Sequence, residues 1–188
     1  MPLNLPNLVT LLRIVLIPLI VGIFYLPDAW LADDSKNIAA TAIFIVAAIT
    51  DWLDGYLARK LNQMSAFGAF FDPVADKLVV VGALIILLYL NRVDMVVALI
   101  IIGREIAVSA LREWMAQLGQ AKSVAVAYIG KLKTVLQMVA IPLLLYEDRL
   151  FDLIDCHALG TVLSYVAAVL TVVSMLYYLR RALPLMRG

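Results

Sequence analysis

Six stretches of the chain are rich in apolar residues, and polar or charged segments separate them. A helix needs about 20 residues to cross the hydrocarbon core of a bilayer. The apolar runs cover residues 14–27, 38–50, 78–90, 95–103, 134–146 and 158–179. Only the first and last approach that length with their flanks, and each middle run reaches it if its helix continues into the adjoining polar stretch. The pattern therefore predicts six helices, at about 8–27, 36–60, 70–91, 93–117, 126–146 and 153–181.

The composition agrees with a membrane location for these helices. Of the 188 residues, 64% are hydrophobic, and the mean hydropathy is +0.99. Values this high are typical of integral membrane proteins. The net charge of +1 gives no reason to expect a nucleic-acid partner. We therefore expect an all-α integral membrane protein with one domain over residues 1–188 and a short N-terminal interfacial segment.

Charged residues are distributed unequally between the two ends of the predicted helices. Segments 28–37, 91–94 and 147–157 share one end and contain three of the 15 basic residues, with eight acidic residues. The other twelve basic residues lie at the opposite end or in the helix halves near it. Basic residues concentrate on the cytoplasmic side of membrane proteins. The bias predicts a multi-pass protein with both termini in the cytoplasm.

The polar halves of the four middle helices all lie toward the predicted cytoplasmic end. They contain the stretches TDWLDGYLARK, FFDPVADK, REIAVSALREW and GKLKT. Polar groups at membrane depth must face other protein groups or a water-filled cavity. The sequence therefore predicts six transmembrane helices around a polar cavity that opens to the cytoplasm.

Four aspartates fall in the stretch DWLDGYLARKLNQMSAFGAFFDPVADK. Asp51 and Asp54 are three residues apart, and Asp72 and Asp76 are four apart, so each pair shares one helix face. On consecutive antiparallel helices the two pairs can meet. Four carboxylates in one cavity repel each other, and two divalent cations would balance their charge. Oxygen ligands favour hard ions, so we expect two Mg²⁺ or Mn²⁺ ions.

The aspartates also admit two different interpretations. They could form structural ion pairs with Arg59 and Lys77, although four acids against two bases leave charge uncompensated. They could also line an ion or proton pathway, as in a cation transporter.

The spacing of these residues resembles the signature of the CDP-alcohol phosphotransferases, also called CDP-alcohol phosphatidyltransferases. Every fixed position of that signature is present: Asp51, Asp54, Gly55, Ala58, Arg59, Gly68, Asp72 and Asp76. The resemblance implies an enzyme that transfers the phosphatidyl group of CDP-diacylglycerol to an alcohol and releases CMP. It also implies a homodimer that is integral to the cell (inner) membrane and in contact with membrane lipid.

The resemblance assigns roles to individual positions. Asp51, Asp54 and Asp72 would hold the metals, and Asp76 would contact a metal and act as general base on the acceptor hydroxyl. Residues that would bind CDP-diacylglycerol are Asn7, Thr10, Gly55, Arg59, Ser65 and Gly68. For Asn7, Thr10 and Ser65, helix capping is an equally simple interpretation.

Basic residues on predicted helices 4 and 5 indicate the acceptor site. They are Arg104, Arg112, Lys131 and Lys133. The two arginines are eight residues apart, close to one helix face, whereas the two lysines flank Leu132 and diverge. They could form a pocket for an acceptor phosphate, or simply extend toward anionic lipid.

A narrower likeness bears on the identity of the acceptor. The segments NLPNLVTLLR, GREI, SALREWM and GKLKT are similar to family members that use glycerol 3-phosphate. That acceptor would give phosphatidylglycerophosphate, in phospholipid biosynthesis. Inositol phosphate satisfies the same charge argument. Within the family, the acceptor could also be serine, or phosphatidylglycerol in a cardiolipin synthase.

Overall fold

The computed structural model describes residues 5–60, 66–119 and 128–183, without the side chains of 5–7, 52, 54–59, 66–67, 69 and 181. Six helices make up most of these ranges: α1 (Leu5–Ile23), α2 (Asp33–Lys60), α3 (Ala66–Tyr89), α4 (Met95–Gln117), α5 (Tyr128–Tyr146) and α6 (Cys156–Ala182). Each predicted helix has a counterpart, which agrees with the expected all-α class. The prediction that the first helix reaches residue 27 is wrong. The amides of Phe24, Tyr25 and Leu26 bond three residues back, and Pro27 disfavours a helical residue before it.

A short hairpin that the sequence did not predict connects α5 to α6. Strands β1 (Arg149–Leu150) and β2 (Ile154–Asp155) pair antiparallel. The Leu153 amide donates to the Leu150 carbonyl at 3.2 Å. Phe151 and Asp152 between them have φ values of 54° and 56°. These two successive left-handed residues are the centre of a tight turn closed by that hydrogen bond, within a loop of three residues between the paired Leu150 and Ile154.

The helices pack around one main apolar core. Helix α5 contacts α6 and α2, α1 contacts α2 and α3, and α4 contacts α6. Large core residues include Phe44, Leu84, Leu87, Ile101, Ile141, Leu144 and Leu145. Gly160 allows α6 to approach α5 closely, because a Cβ there would lie 2.8 Å from Leu144 Cγ and 3.2 Å from the Ala140 carbonyl oxygen.

A buried arginine holds together the ends of three helices at the hairpin side of the molecule. Arg92 lies between α3 and α4, and its Nη1 donates to Asn37 Oδ1 and to the Leu145 carbonyl oxygen, both at 2.9 Å. Its Nη2 pairs with Glu147. Burial lowers the pKa of Arg92, and the nearby Glu147 carboxylate opposes that change. The guanidinium thereby satisfies carbonyl groups at the end of α5, which have no partner within the helix.

The outer surface of the bundle is apolar. Each of the six helices exposes large hydrophobic side chains, for example Val15, Ile45, Ile85, Leu99, Val135 and Val169. Within the described ranges, Tyr128–Tyr146 and Cys156–Arg180 are long and apolar enough to cross a bilayer. These features are consistent with an all-α membrane protein.

Candidate active site

Three of the four predicted aspartates lie near one end of α1. Thr10 Oγ1 donates to Asp72 Oδ1 at 2.7 Å. Arg13, one turn further along α1, places Nη1 3.0 Å from Asp51 Oδ1 and in contact with Asp76 Oδ1. Helix α1 therefore links the aspartate of α2 to both aspartates of α3. The side chain of Asp54, on α2, lies outside the described residues.

The environment of these acids is suited to positive charge. The side chain of Arg13 is 1% exposed, whereas those of Asp51 and Asp76 are 42% and 45% exposed. A cation thus already lies between two carboxylates that remain accessible. Among the described side chains, no group of three or more metal-binding residues converges on one point. The predicted four-aspartate metal site includes Asp54 and stays a prediction.

The remaining residues predicted to bind the CDP-lipid are placed less completely. Thr10 is the sixth residue of α1, beyond the N-cap position, and its hydroxyl binds Asp72. Gly68 is buried near the start of α3. Ser65 lies outside the described residues. Asn7 lies in α1, and Gly55 and Arg59 lie in α2, but the surroundings of these three residues are outside the described part of the structure.

Three of the four predicted basic residues come together on the opposite side of the site. Arg104 and Lys133 are buried, at 7% and 2% exposure. Both contact Oε1 of Glu105: Arg104 Nη1 at 3.2 Å, and Lys133 Nζ in close contact. Arg112 joins them through Tyr178. Lys131, by contrast, is exposed on α5.

A tyrosine of α6 supports the two arginines. Tyr178 is fully buried, and its ring centroid lies 5.9 Å from the Arg104 guanidinium and 5.3 Å from that of Arg112. Arg112 Nη2 also donates to the Tyr178 hydroxyl at 3.1 Å. Arg104 Nη2 lies 3.4 Å from Ser174 Oγ. A guanidinium over an aromatic face gains electrostatic stabilisation, so α6 holds both arginines in place.

One cavity of about 220 Å³ brings the acidic and basic groups together. Its polar lining includes Arg13, Asp51, Asp76, Lys77, Arg104, Glu105, Arg112, Lys133 and Gln137. Lys131 is not part of this lining. The cavity therefore combines carboxylates that could hold metal ions or accept a proton with cations that could bind a phosphate.

Sequence reasoning missed Arg13 and Tyr178. Arg13 had a detectable signal, since a charged residue inside the apolar run LVTLLRIV must face protein or a cavity. Tyr178 had none, because an aromatic residue in a hydrophobic helix is ordinary core composition.

The sequence comparisons agree with this chemistry. A family model described as CDP-alcohol phosphatidyltransferase matches residues 3–173. The chain belongs to this family, which confirms the resemblance carried by the aspartate pattern. It is 49% identical over 184 residues to the CDP-diacylglycerol–glycerol-3-phosphate 3-phosphatidyltransferase of Escherichia coli (strain K12), covering 97% of this chain and 96% of that protein. The protein of the same name from Shigella flexneri has the same identity and coverage.

Proposed function

We propose that this protein transfers the phosphatidyl group of CDP-diacylglycerol to glycerol 3-phosphate, giving phosphatidylglycerophosphate and CMP. The cavity is the observation that supports this most directly, because carboxylates from α2 and α3 face a cluster of cations from α4 and α5. Phosphoryl transfer requires stabilisation of negative charge and exact positioning of the acceptor. The name shared by relatives that are 49% identical over nearly the whole chain supports the same reaction.

The membrane arrangement we propose is six spans in a single domain over residues 1–188, with both termini and the cavity mouth on the cytoplasmic side of the cell (inner) membrane. Exposed apolar side chains on all six helices support it. Helices α1 to α5 each contribute at least one charged residue to the lining of the cavity, and the cavity shields such groups from lipid. A homodimer is the expected assembly for this family.

The acidic half of the cavity would hold two Mg²⁺ or Mn²⁺ ions through Asp51, Asp54, Asp72 and Asp76. Carboxylate oxygens suit these hard cations. The exposure of Asp51 and Asp76 supports this assignment, because both carboxylates remain accessible although Arg13 contacts one oxygen of each. When bound, the ions would neutralise the diphosphate of the lipid donor. The hydrogen bond from Thr10 would hold Asp72 in a fixed orientation.

In the donor site, the CDP-lipid would lie against the cytoplasmic halves of α1, α2 and α3. Gly55 and Gly68 would let the nucleotide approach the helix backbone, where a Cβ would obstruct it. Arg59 would bind the diphosphate with its planar guanidinium. Asn7 and Ser65 would contact the nucleotide at its edge.

Asp76 would act as general base. Its carboxylate lines the cavity and is accessible to an acceptor hydroxyl. It would take the proton of the 1-hydroxyl of glycerol 3-phosphate while that oxygen forms a bond to the phosphorus bearing diacylglycerol. The bond from that phosphorus to the CMP oxygen breaks, and CMP leaves with the bonding electrons.

The acceptor phosphate would bind Arg104, Arg112 and Lys133. Both arginines have a buried Nε with no hydrogen-bond partner among the described residues. Buried donors without partners are rare in folded proteins, and a bound phosphate would supply acceptors for guanidinium groups here. Lys131, which is exposed, would act outside the pocket by attracting anionic substrates and lipids.

The experiment that tests this function is an acceptor screen that measures CMP release from CDP-diacylglycerol by the purified protein. Glycerol 3-phosphate, inositol phosphate, serine and phosphatidylglycerol are compared. Of these four acceptors, we expect only glycerol 3-phosphate to cause CMP release. The release should stop when EDTA removes divalent ions and return when Mg²⁺ is added. Asp76→Asn should lower turnover by at least about a hundredfold, whereas Asp34→Asn, at an exposed position of α2, should not. Release with a different acceptor, or near-normal turnover of Asp76→Asn, would contradict the proposal.

A further inference from the structure

Glu105 is an acid in the basic half of the cavity. Its Oε1 accepts from Arg104 Nη1 at 3.2 Å and contacts Lys133 Nζ. The side chain is 17% exposed and lines the cavity beside both cations. A negative group in a site for an anion weakens binding of that anion, so its presence requires an explanation.

Charge balance within the cavity provides part of the explanation. Lys133 is almost fully buried, and a buried ammonium without a counter-ion tends to lose its proton. Removal of one partner from a buried ion pair is strongly destabilising. Glu105 therefore supplies the counter-ion for Lys133 and holds its side chain in place before any substrate arrives.

The charges that line the cavity separate into two groups. On the acidic side, Arg13 and Lys77 balance Asp51 and Asp76. On the basic side there are three positive side chains and one negative: Arg104, Arg112, Lys133 and Glu105. The second group therefore has a net charge of +2. A phosphate monoester dianion carries a charge of −2, so the two charges match.

We infer that Glu105 is a resident counter-ion that sets the affinity and selectivity of the acceptor pocket. Its carboxylate competes with the incoming phosphate for Arg104 and Lys133. An anion binds only when its attraction to Arg104 and Lys133 is strong enough to displace Glu105 or to share these two cations with it. A doubly charged phosphate ester meets this condition. Selectivity arises here from weakened binding of unwanted anions as much as from attraction of the substrate.

A role in positioning Lys133 is the alternative for Glu105, and it predicts the opposite change in acceptor binding when Glu105 is replaced. If Glu105 only holds Lys133 in the correct place, its loss should weaken acceptor binding. If it competes with phosphate, its loss should strengthen binding of glycerol 3-phosphate and of inorganic phosphate. The direction of the change in KM therefore separates the two roles.

The test compares Glu105→Gln with Glu113→Gln, a matched control at an exposed position two turns further along α4. For the full-length protein with its divalent ion, we expect Glu105→Gln to lower the KM for glycerol 3-phosphate and the inhibition constant of inorganic phosphate by about three- to tenfold. The KM for CDP-diacylglycerol should not change, and Glu113→Gln should match the wild type. A raised KM for glycerol 3-phosphate, or unchanged values for both anions, would overturn the inference.

Two further variants make the result decisive. The inference depends on the proposed acceptor pocket, which Arg112→Gln tests separately. If that variant leaves the acceptor KM unchanged, the pocket itself is misassigned. If it raises the KM while Glu105→Gln does not lower it, only the role of Glu105 fails. Should Glu105→Gln fail to fold, Glu105→Asp withdraws the carboxylate from Lys133 while keeping its charge, and a smaller change of the same sign is expected.

Discussion

Arg13 connects the acidic residues of the candidate site across helices. It is buried in α1, yet its guanidinium reaches Asp51 and Asp76, on two other helices. Without a positive charge at this point, the two half-exposed carboxylates would repel each other. Arg13 therefore performs, with protein atoms, part of the charge compensation that a metal ion would provide.

Replacement of Arg13 should make folding more dependent on divalent ions. We expect Arg13→Gln to lower the free energy of unfolding by about 1–2 kcal/mol without metal, a value reduced by the partial exposure of both aspartates. Thermal unfolding in detergent with EDTA or with Mg²⁺ measures the effect. Mg²⁺ should raise the melting temperature of Arg13→Gln more than that of the wild type, and Arg13→Lys should behave like the wild type. Equal Mg²⁺ shifts in all three proteins would refute this.

At the scale of helices, close backbone contact determines how α5 is placed beside α6. Gly160 leaves room for Leu144 and for the backbone of Ala140. Helix α5 carries Lys133, and α6 carries Tyr178. The distance between these helices therefore affects the geometry of the proposed acceptor pocket, although Gly160 itself lies far along the chain from Tyr178.

Substitution of Gly160 tests this contact. An added Cβ would lie 2.8 Å from Leu144 Cγ, so Gly160→Ala must separate the helices and should cost about 1–3 kcal/mol of stability. Gly22→Ala in α1 is the matched control, since a Cβ there meets nothing within 4 Å. It should leave stability equal or slightly higher, because alanine favours helix. Thermal unfolding of both variants in detergent measures the difference. If Gly160→Ala is as stable as Gly22→Ala, the close approach is not a constraint.

At the scale of the whole molecule, the arrangement across the membrane can be tested with cysteine reporters. In a Cys156→Ala background, Asp34→Cys marks the hairpin end of the bundle, and Lys131→Cys marks the cavity end. Both positions are exposed. We expect a membrane-impermeant maleimide to label Asp34→Cys in intact cells and to label Lys131→Cys only after permeabilisation. Labelling of both from outside would contradict the proposed orientation.

The sequence was sufficient to predict the six helices, because the length and spacing of apolar runs are local properties of the chain. The proximity of Asp51, Asp72 and Asp76 could be predicted from their spacing, since helix periodicity determines which residues share a face. The ion pairs that Glu105 forms with Arg104 and Lys133 could be predicted only in part, because they depend on how α4 and α5 pack. Arg13 and Tyr178 required the tertiary structure, since each acts across helices that are distant in sequence. The hairpin was missed because Phe151 and Asp152 occupy turn positions where asparagine and glycine are the usual signal.

That hairpin has a consequence for how the protein assembles. It reverses the chain within four residues and joins α5 to α6, the two helices in the described ranges that are apolar and long enough to cross a bilayer alone. Closure of so short a loop costs little entropy. We therefore expect α5 and α6 to enter the membrane as a preformed antiparallel pair. The charged helices α2, α3 and α4 are synthesised before this pair. Arrival of the pair would then complete the protein surface that shelters their polar groups from lipid.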